Sequence, residues 1–153
     1  MYSHRRILLL ALALTLPTAA MAQVTQSAAP PARPKPAQLP KDSMELARKY
    51  TTWLYTTQID SIVAHLDSAS RGKPEQKTQY ESRAADLAAR AGTEKLLMEE
   101  KFITRNGARQ YWRTAMFTNF NEPLLLRWVI GAKGEILGIG LGPLSQAPPI
   151  DPP

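Results

Sequence analysis

The chain contains no cysteine, and this absence excludes several kinds of function. Without cysteine it cannot form a disulfide bond, ligate a metal through thiolates or carry the lipid anchor that bacterial lipoproteins attach to a cysteine. Histidine is scarce too, since only His4 and His65 are present. A zinc centre or a Ser-His-Asp triad would depend on His65 alone in the mature protein, and no Gly-x-Ser-x-Gly motif accompanies it. We therefore predict neither a metal site nor a cofactor.

Hydrophobic runs long enough to span a membrane are also missing. The longest, Ile7–Leu16, has ten residues, about half of the length that a membrane-spanning helix needs. It follows the basic residues Arg5 and Arg6 and precedes Ala20-Met21-Ala22, as in a secretory signal peptide. We predict that residues 1–22 are removed by cleavage between Ala22 and Gln23, which makes the product secreted or periplasmic with no stable membrane insertion. An uncleaved anchor is the alternative.

Positive charge is concentrated near the N-terminus. The formal net charge is +6, but five of the basic residues precede Asp42. From Asp42 onward, 14 Lys or Arg face 13 Asp or Glu, so the remainder is nearly neutral. Nucleic-acid binding needs a clustered basic face and stacking aromatic side chains, and the sequence predicts neither. We therefore predict no nucleic-acid partner.

Proline sets the predicted domain boundaries. Residues 23–41 contain five prolines and almost no large apolar side chain, which predicts a disordered linker. Residues 144–153 are also rich in proline and predict an irregular tail. The segment between them, 42–143, is long enough for one small domain with one hydrophobic core.

Helical periodicity dominates the first half of this domain. A first helix capped by Asp42 or Ser43, a short second helix capped by Asp60, and a third helix that stops at Gly92 are predicted. The apolar residues recur three or four positions apart, at Leu46, Tyr50, Trp53 and Leu54, then Ile62, Val63 and Leu66, then Tyr80, Ala84, Leu87 and Ala91.

The period then changes to two, which predicts strands at 96–104, 108–118, 124–130 and 136–141. Asn106-Gly107 is typical of a two-residue hairpin turn. Helices followed by an antiparallel four-stranded meander define an α+β fold. The glycines at 138, 140 and 142 alternate within the last strand, and Pro143 follows them, so they do not form a dinucleotide-binding loop.

The hairpin turn fixes the pairing of the strands. Arg105 then faces Ala108, Glu100 faces Arg113 and Met98 faces Ala115. Closing the next turn with Thr118 opposite Pro123 places Arg113 against Trp128. One sheet face is then largely apolar and receives Leu137, Ile139 and Leu141 from the fourth strand. The other face is mostly polar, with Glu99, Lys101, Gln110, Trp112, Thr114 and Arg127.

Glu100 and Arg113 form the single charged pair on the apolar face. A cross-strand ion pair near a sheet edge, worth about 0.2–1 kcal/mol, is one explanation. The other is a ligand-binding site in which Tyr111 and Trp128 flank the pair, because polar groups within an apolar cup are typical of small-molecule sites. His65 is expected to be a boundary residue.

The domain resembles the nuclear transport factor 2-like superfamily of α+β cone folds, and most closely its small secreted bacterial branch of unknown function. The resemblance covers residues 42–143. It rests on the opening Glu45-Leu-Ala-Arg-Lys-Tyr50, the Gln58-Ile-Asp60 step, and the final hairpin Arg127–Ile136. It implies a pocket between the helices and the sheet and a homodimer formed through the outer sheet face, with Trp112 and Arg127 as the candidate contact residues.

Three hypotheses follow. The first is an exported, non-enzymatic module that binds a small, partly apolar ligand or an envelope partner in a cone-shaped pocket. The second, which the resemblance implies, is a cone-fold lyase, isomerase or hydrolase in which Glu100 and Tyr111 act together. Arg113 opposes this role, because it should keep Glu100 ionised and make it a poorer base. The third is a dimeric accessory protein whose pocket is filled by its own side chains.

Overall fold

The structure, a computed structural model, describes residues 41–151. The predicted signal peptide and nearly all of the predicted linker lie outside these residues. Within the described part, three helices precede a four-stranded antiparallel sheet, so the predicted α+β class is confirmed.

The helices are α1 (Ser43–Tyr55), α2 (Ile59–Ala64) and α3 (Pro74–Asp86). Apolar spacing explains α1 and α3, whose buried side chains recur every three or four residues on the side that faces the sheet. The predicted caps are less accurate than the helices. Asp42 occupies the N-cap of α1 without a side-chain capping bond, and Asp60 lies inside the first turn of α2, behind Gln58 at the cap. No helix among residues 41–151 has the length and apolar character needed to cross a membrane.

A π-helical turn, Leu87–Ala91, extends α3 and ends at Gly92. Gly92 has a φ of +78°, which an L side chain rarely adopts. A Cβ atom at this position would also collide with the hydroxyl of Thr118. Gly92 therefore both terminates the helix and allows the chain to pass close to the end of the sheet.

The strands are β1 (Glu94–Arg105), β2 (Ala108–Phe117), β3 (Leu124–Ile130) and β4 (Ile136–Pro143), paired in the order β1-β2-β3-β4. The predicted hairpin is confirmed, because Asn106 and Gly107 both have positive φ and Arg105 pairs with Ala108. The predicted pairing of Glu100 with Arg113 is also confirmed.

Three other parts of the predicted register are wrong. Irregularities in β1 pair Leu97, rather than Met98, with Ala115. Arg113 faces Leu126 rather than Trp128, a shift of two residues that leaves every side chain on its predicted face. A further irregularity between Val129 and Ile130 buries Ile136 and leaves Leu137 half exposed, so Leu137 does not belong to the apolar face.

The helices cover one face of the sheet, which we call the inner face. The core contains side chains from α1, α2, α3 and this face, and its largest fully buried members are Trp128, Tyr50, Tyr111, Leu54, Ile62, Leu66, Leu126, Ile130 and Ile136. The interior of the fold is therefore packed with the chain's own side chains.

The C-terminal segment 144–151 crosses the opposite, outer face. The amide of Leu144 donates to the carbonyl of Pro123 at one end of the sheet (2.8 Å). At the other end, Arg105 Nε donates to the carbonyl of Pro149 (3.1 Å), and the amide of Gly107 donates to Asp151 Oδ2 (3.3 Å). Trp112 is only 6 % exposed on this face.

Strand β1 forms one edge of the sheet and exposes Leu96, Leu97 and Met98. Both irregularities of β1 fall in this apolar stretch, between Glu94 and Leu96 and between Leu97 and Glu99. Irregular pairing of this kind disfavours the addition of another strand to an edge.

Candidate functional site

The Glu100–Arg113 pair belongs to a larger ion-pair network at the margin of the inner face. Arg113 Nη1 donates to Glu100 Oε2 (3.0 Å). The same guanidinium makes a bidentate pair with Glu94, through Nε to Oε2 (2.9 Å) and Nη2 to Oε1 (2.6 Å). The side chains of all three residues are only 13–16 % exposed. Arg113 thus joins two nearly buried carboxylates, which raises the pKa of its guanidinium, chiefly through the hydrogen bonds to Glu94.

Helix α1 closes the network at both ends. Arg48 donates to Glu100 Oε1 through Nε (2.8 Å) and also through Nη2. About two helical turns further along, Tyr55 Oη donates to Glu94 Oε2 (2.9 Å). Burial, with the neighbouring Glu94 charge as the next cause, raises the pKa of Tyr55. The network thereby ties the first helix to the first two strands.

Tyr111 lies next to the charged pair, as predicted from its place in β2. Its hydroxyl donates to Glu100 Oε2 (2.6 Å), and burial raises the pKa of this phenol to about 12. The pKa of Glu100 is lowered, mainly by the hydrogen bonds from Arg48 and despite the opposing effect of burial. Glu100 therefore accepts bonds from two arginines and a phenol and stays ionised.

Trp128 is the cross-strand partner of Tyr111, but it packs in the core instead of offering a surface. Its side chain is fully buried, and its indole N–H donates to Thr51 Oγ1 (3.0 Å). Its ring stacks on Tyr80, with centroids 6.4 Å apart and an interplanar angle of 9°. The structure thus brings Glu100, Arg113 and Tyr111 together and places Trp128 behind them.

Sequence reasoning missed Arg48, Glu94 and Tyr55. Glu94 and Glu100 are six residues apart, and side chains alternate between the two faces of a strand. Starting the predicted strand two residues earlier, at 94, would therefore have placed Glu94 on the same face as Glu100. Arg48 and Tyr55 are seven residues apart, about two helical turns, so they share one face of α1. Only the tertiary structure shows which acidic residues that face meets.

Two openings flank the network. A shallow depression of about 320 Å³ lies on its solvent side and is lined by Arg48, Thr51, Thr52, Tyr55, Leu97, Glu100 and Arg113. A second opening of about 290 Å³, which we call the helix–sheet cleft, is lined by Leu54, Tyr55, Ala84, Leu87, Ala88, Gly92, Thr93, Glu94 and Phe117. Most of the cleft is apolar, and its polar wall is formed by Tyr55, Thr93 and Glu94.

This arrangement suits binding better than proton transfer. Glu100 already accepts four bonds and has a lowered pKa, which makes it a weak base. His65 Nδ1 donates to the carbonyl of Ser61 (2.9 Å), and the centroid of its ring lies 4.8 Å from that of Trp53. These contacts give His65 a role in packing. No group of acidic or histidine side chains that could hold a metal ion occurs among the described residues.

The chain was compared with protein-family models, curated proteins and solved structures. No family model matches it, and neither a curated protein nor a solved structure is similar enough to match.

Proposed function

We propose that this chain is an exported, non-enzymatic module that binds a small, partly apolar molecule in the helix–sheet cleft. One observation carries the proposal: an apolar cleft of about 290 Å³ has a single polar wall, and that wall is held in place by a bidentate ion pair. Ligand sites are commonly apolar cavities with a few fixed polar groups, and this volume is near the lower limit for small molecules. Export is inferred from residues 1–22.

Glu94 determines which ligand the cleft would accept. Its Oε2 receives bonds from Arg113 and Tyr55, whereas Oε1 receives one bond, from Arg113. A carboxylate oxygen can accept more than one hydrogen bond. We therefore expect a ligand with an apolar body and one hydroxyl, amide or amine donor directed at Glu94 Oε1. A carboxylate ligand is disfavoured here, since it would face the charge of Glu94.

The proposal includes a cone-shaped fold of the nuclear transport factor 2-like type. Helices that cover one face of a curved four-stranded meander support it. The packed interior restricts the ligand to the margin of the cone, between α1, α3 and the start of β1. This position differs from the central cup expected around Trp128.

Native mass spectrometry of the protein purified from its own host tests the proposal. We expect a bound small molecule in the wild type and its loss in Ala88→Phe, because Ala88 is an exposed residue at the wall of the cleft. The matched control is Ala89→Phe, an exposed alanine in the same π-helical turn that does not line the cleft. A wild-type protein without ligand, or equal retention by both variants, would contradict the proposal. The denatured mass also tests whether the mature chain begins at Gln23.

A further inference from the structure

We propose a second ligand site on the other side of α3, selective for a small aliphatic carboxylate. The site is a groove of about 320 Å³ between the end of α3, the π-helical turn and the ends of β3 and β4. We call it the Arg83 groove. It shares only Leu87 with the lining of the helix–sheet cleft, and it does not depend on the proposed function.

The floor of the Arg83 groove is apolar. Leu87 and Leu124 are buried in the core, and Phe120 and Leu141 pack against that core while lining the groove. These side chains form an accessible apolar surface beside the core, and they do not fill the groove. Such a surface suits a short hydrocarbon chain.

Arg83 gives the groove its selectivity. Its Nε is buried and has no hydrogen-bond partner, and it is the one buried side-chain nitrogen or oxygen in this state among residues 41–151. A buried donor without an acceptor is unfavourable, and native proteins rarely leave one without a reason. Because Nε has no exposed surface, a carboxylate in the groove would pair with the guanidinium charge, and would accept from Nε once the side chain turns toward the groove.

The other charges at the groove are Asp86 and Arg90. They form a loose pair with each other, Arg90 Nε lying 3.6 Å from Asp86 Oδ1, and both are exposed. Their charges offset each other, so the net charge of the groove is the positive charge of Arg83. Leu87 and Arg90 both belong to the π-helical turn. Turns of this kind are rare and are frequently found at functional sites.

Octanoate and 1-octanol, titrated separately into residues 23–153 and followed by amide chemical shifts, test the proposal. They have the same chain length and differ in the head group. We expect octanoate to bind the wild type about tenfold more tightly than octanol, since a charge-assisted bond contributes about this factor. The shift changes should centre on Ala91, Phe120 and Leu141, which line the Arg83 groove and not the helix–sheet cleft.

Two variants and one control locate the effect. Arg83→Met should remove the preference for octanoate over octanol without lowering thermal stability, because the buried donor that lacks a partner disappears with it. Arg83→Lys keeps the charge but not the planar fork of donors, and should retain only part of the preference. Arg109→Met removes one positive charge from β2, outside the groove, and should leave octanoate affinity unchanged.

Four results would overturn the proposal. They are equal affinity for the two probes, no binding of octanoate at millimolar concentration, shift changes centred on the helix–sheet cleft, and an unchanged preference in both Arg83 variants. If octanoate bound only in the helix–sheet cleft, this proposal would fail and the proposed function would stand. If octanoate bound in the Arg83 groove and the helix–sheet cleft held no ligand, the proposed function would fail and this proposal would stand.

Discussion

Replacing Arg113 with methionine should strongly destabilise the fold. Arg113 is the only cation that contacts Glu94 within the described residues, and it is one of two that contact Glu100. In Arg113→Met, Glu94 would keep the hydroxyl of Tyr55 and Glu100 would keep Arg48 and Tyr111. Two nearly buried carboxylates would then lie on the same side of the sheet without the guanidinium between them.

The expected cost follows from the burial of these groups. Removing one partner of a fully buried ion pair costs about 3–5 kcal/mol. The side chains here retain 13–16 % exposure, so water screens them in part, and we expect a loss of about 2–3 kcal/mol. In a domain of this size, that loss should lower the unfolding temperature by roughly 8–20 °C.

Urea and thermal unfolding, followed by circular dichroism, would measure this change. The matched control is the double variant Glu94→Gln, Arg113→Met, which removes the unpaired charge along with the guanidinium. Because a charge without its partner causes most of the cost, the double variant should recover at least about 1 kcal/mol relative to Arg113→Met. A loss of less than about 0.5 kcal/mol in Arg113→Met, or a double variant less stable than Arg113→Met, would contradict this prediction.

Three further predictions concern the rest of the fold. The pKa of Glu100 is lower in the folded state than in the unfolded chain, where it is 4.5. The ionised Glu100 therefore stabilises the fold above pH 4.5, and this stabilisation is lost as the pH falls through the lower folded pKa. Glu100→Gln should flatten the fall in urea midpoint between about pH 5 and pH 3, and an unchanged slope would assign that fall to other carboxylates. Deleting residues 144–153 should shift tryptophan emission to the red by exposing Trp112. It should also cost about 2–4 kcal/mol, because at least four hydrogen bonds to the rest of the domain are lost, including that from Ser145 Oγ to Glu122 Oε2 (2.7 Å); unchanged emission and stability would show that the segment does not cover this face. Gly92→Ala should destabilise the protein by more than Gly72→Ala, since both glycines have positive φ but only Gly92 has atoms within reach of a new Cβ; equal losses in urea unfolding would show that the collision is relieved without cost.

The sequence was sufficient for features that depend on neighbours along the chain. Periodicity located the helices and strands, and Asn106-Gly107 fixed the first hairpin because its backbone geometry is set by the two residues themselves. That turn in turn placed Glu100 opposite Arg113. The separation of apolar and polar sheet faces also followed, since a shift of two residues in the β2–β3 register does not change the face of any side chain.

The tertiary structure decided everything that depends on which elements meet. The irregularities in β1 and β3 have no local signal, and they changed the partner of Ala115 and moved Leu137 out of the core. Arg48 and Tyr55 joined the predicted pair only because α1 packs beside the start of β1, and this contact also brought in Glu94. A sequence specifies local backbone geometry and the pattern of burial, but the closure of a cleft or an ion-pair network depends on the packing of distant segments. The predicted pair was therefore correct, whereas its additional partners and the opening beside it required the fold.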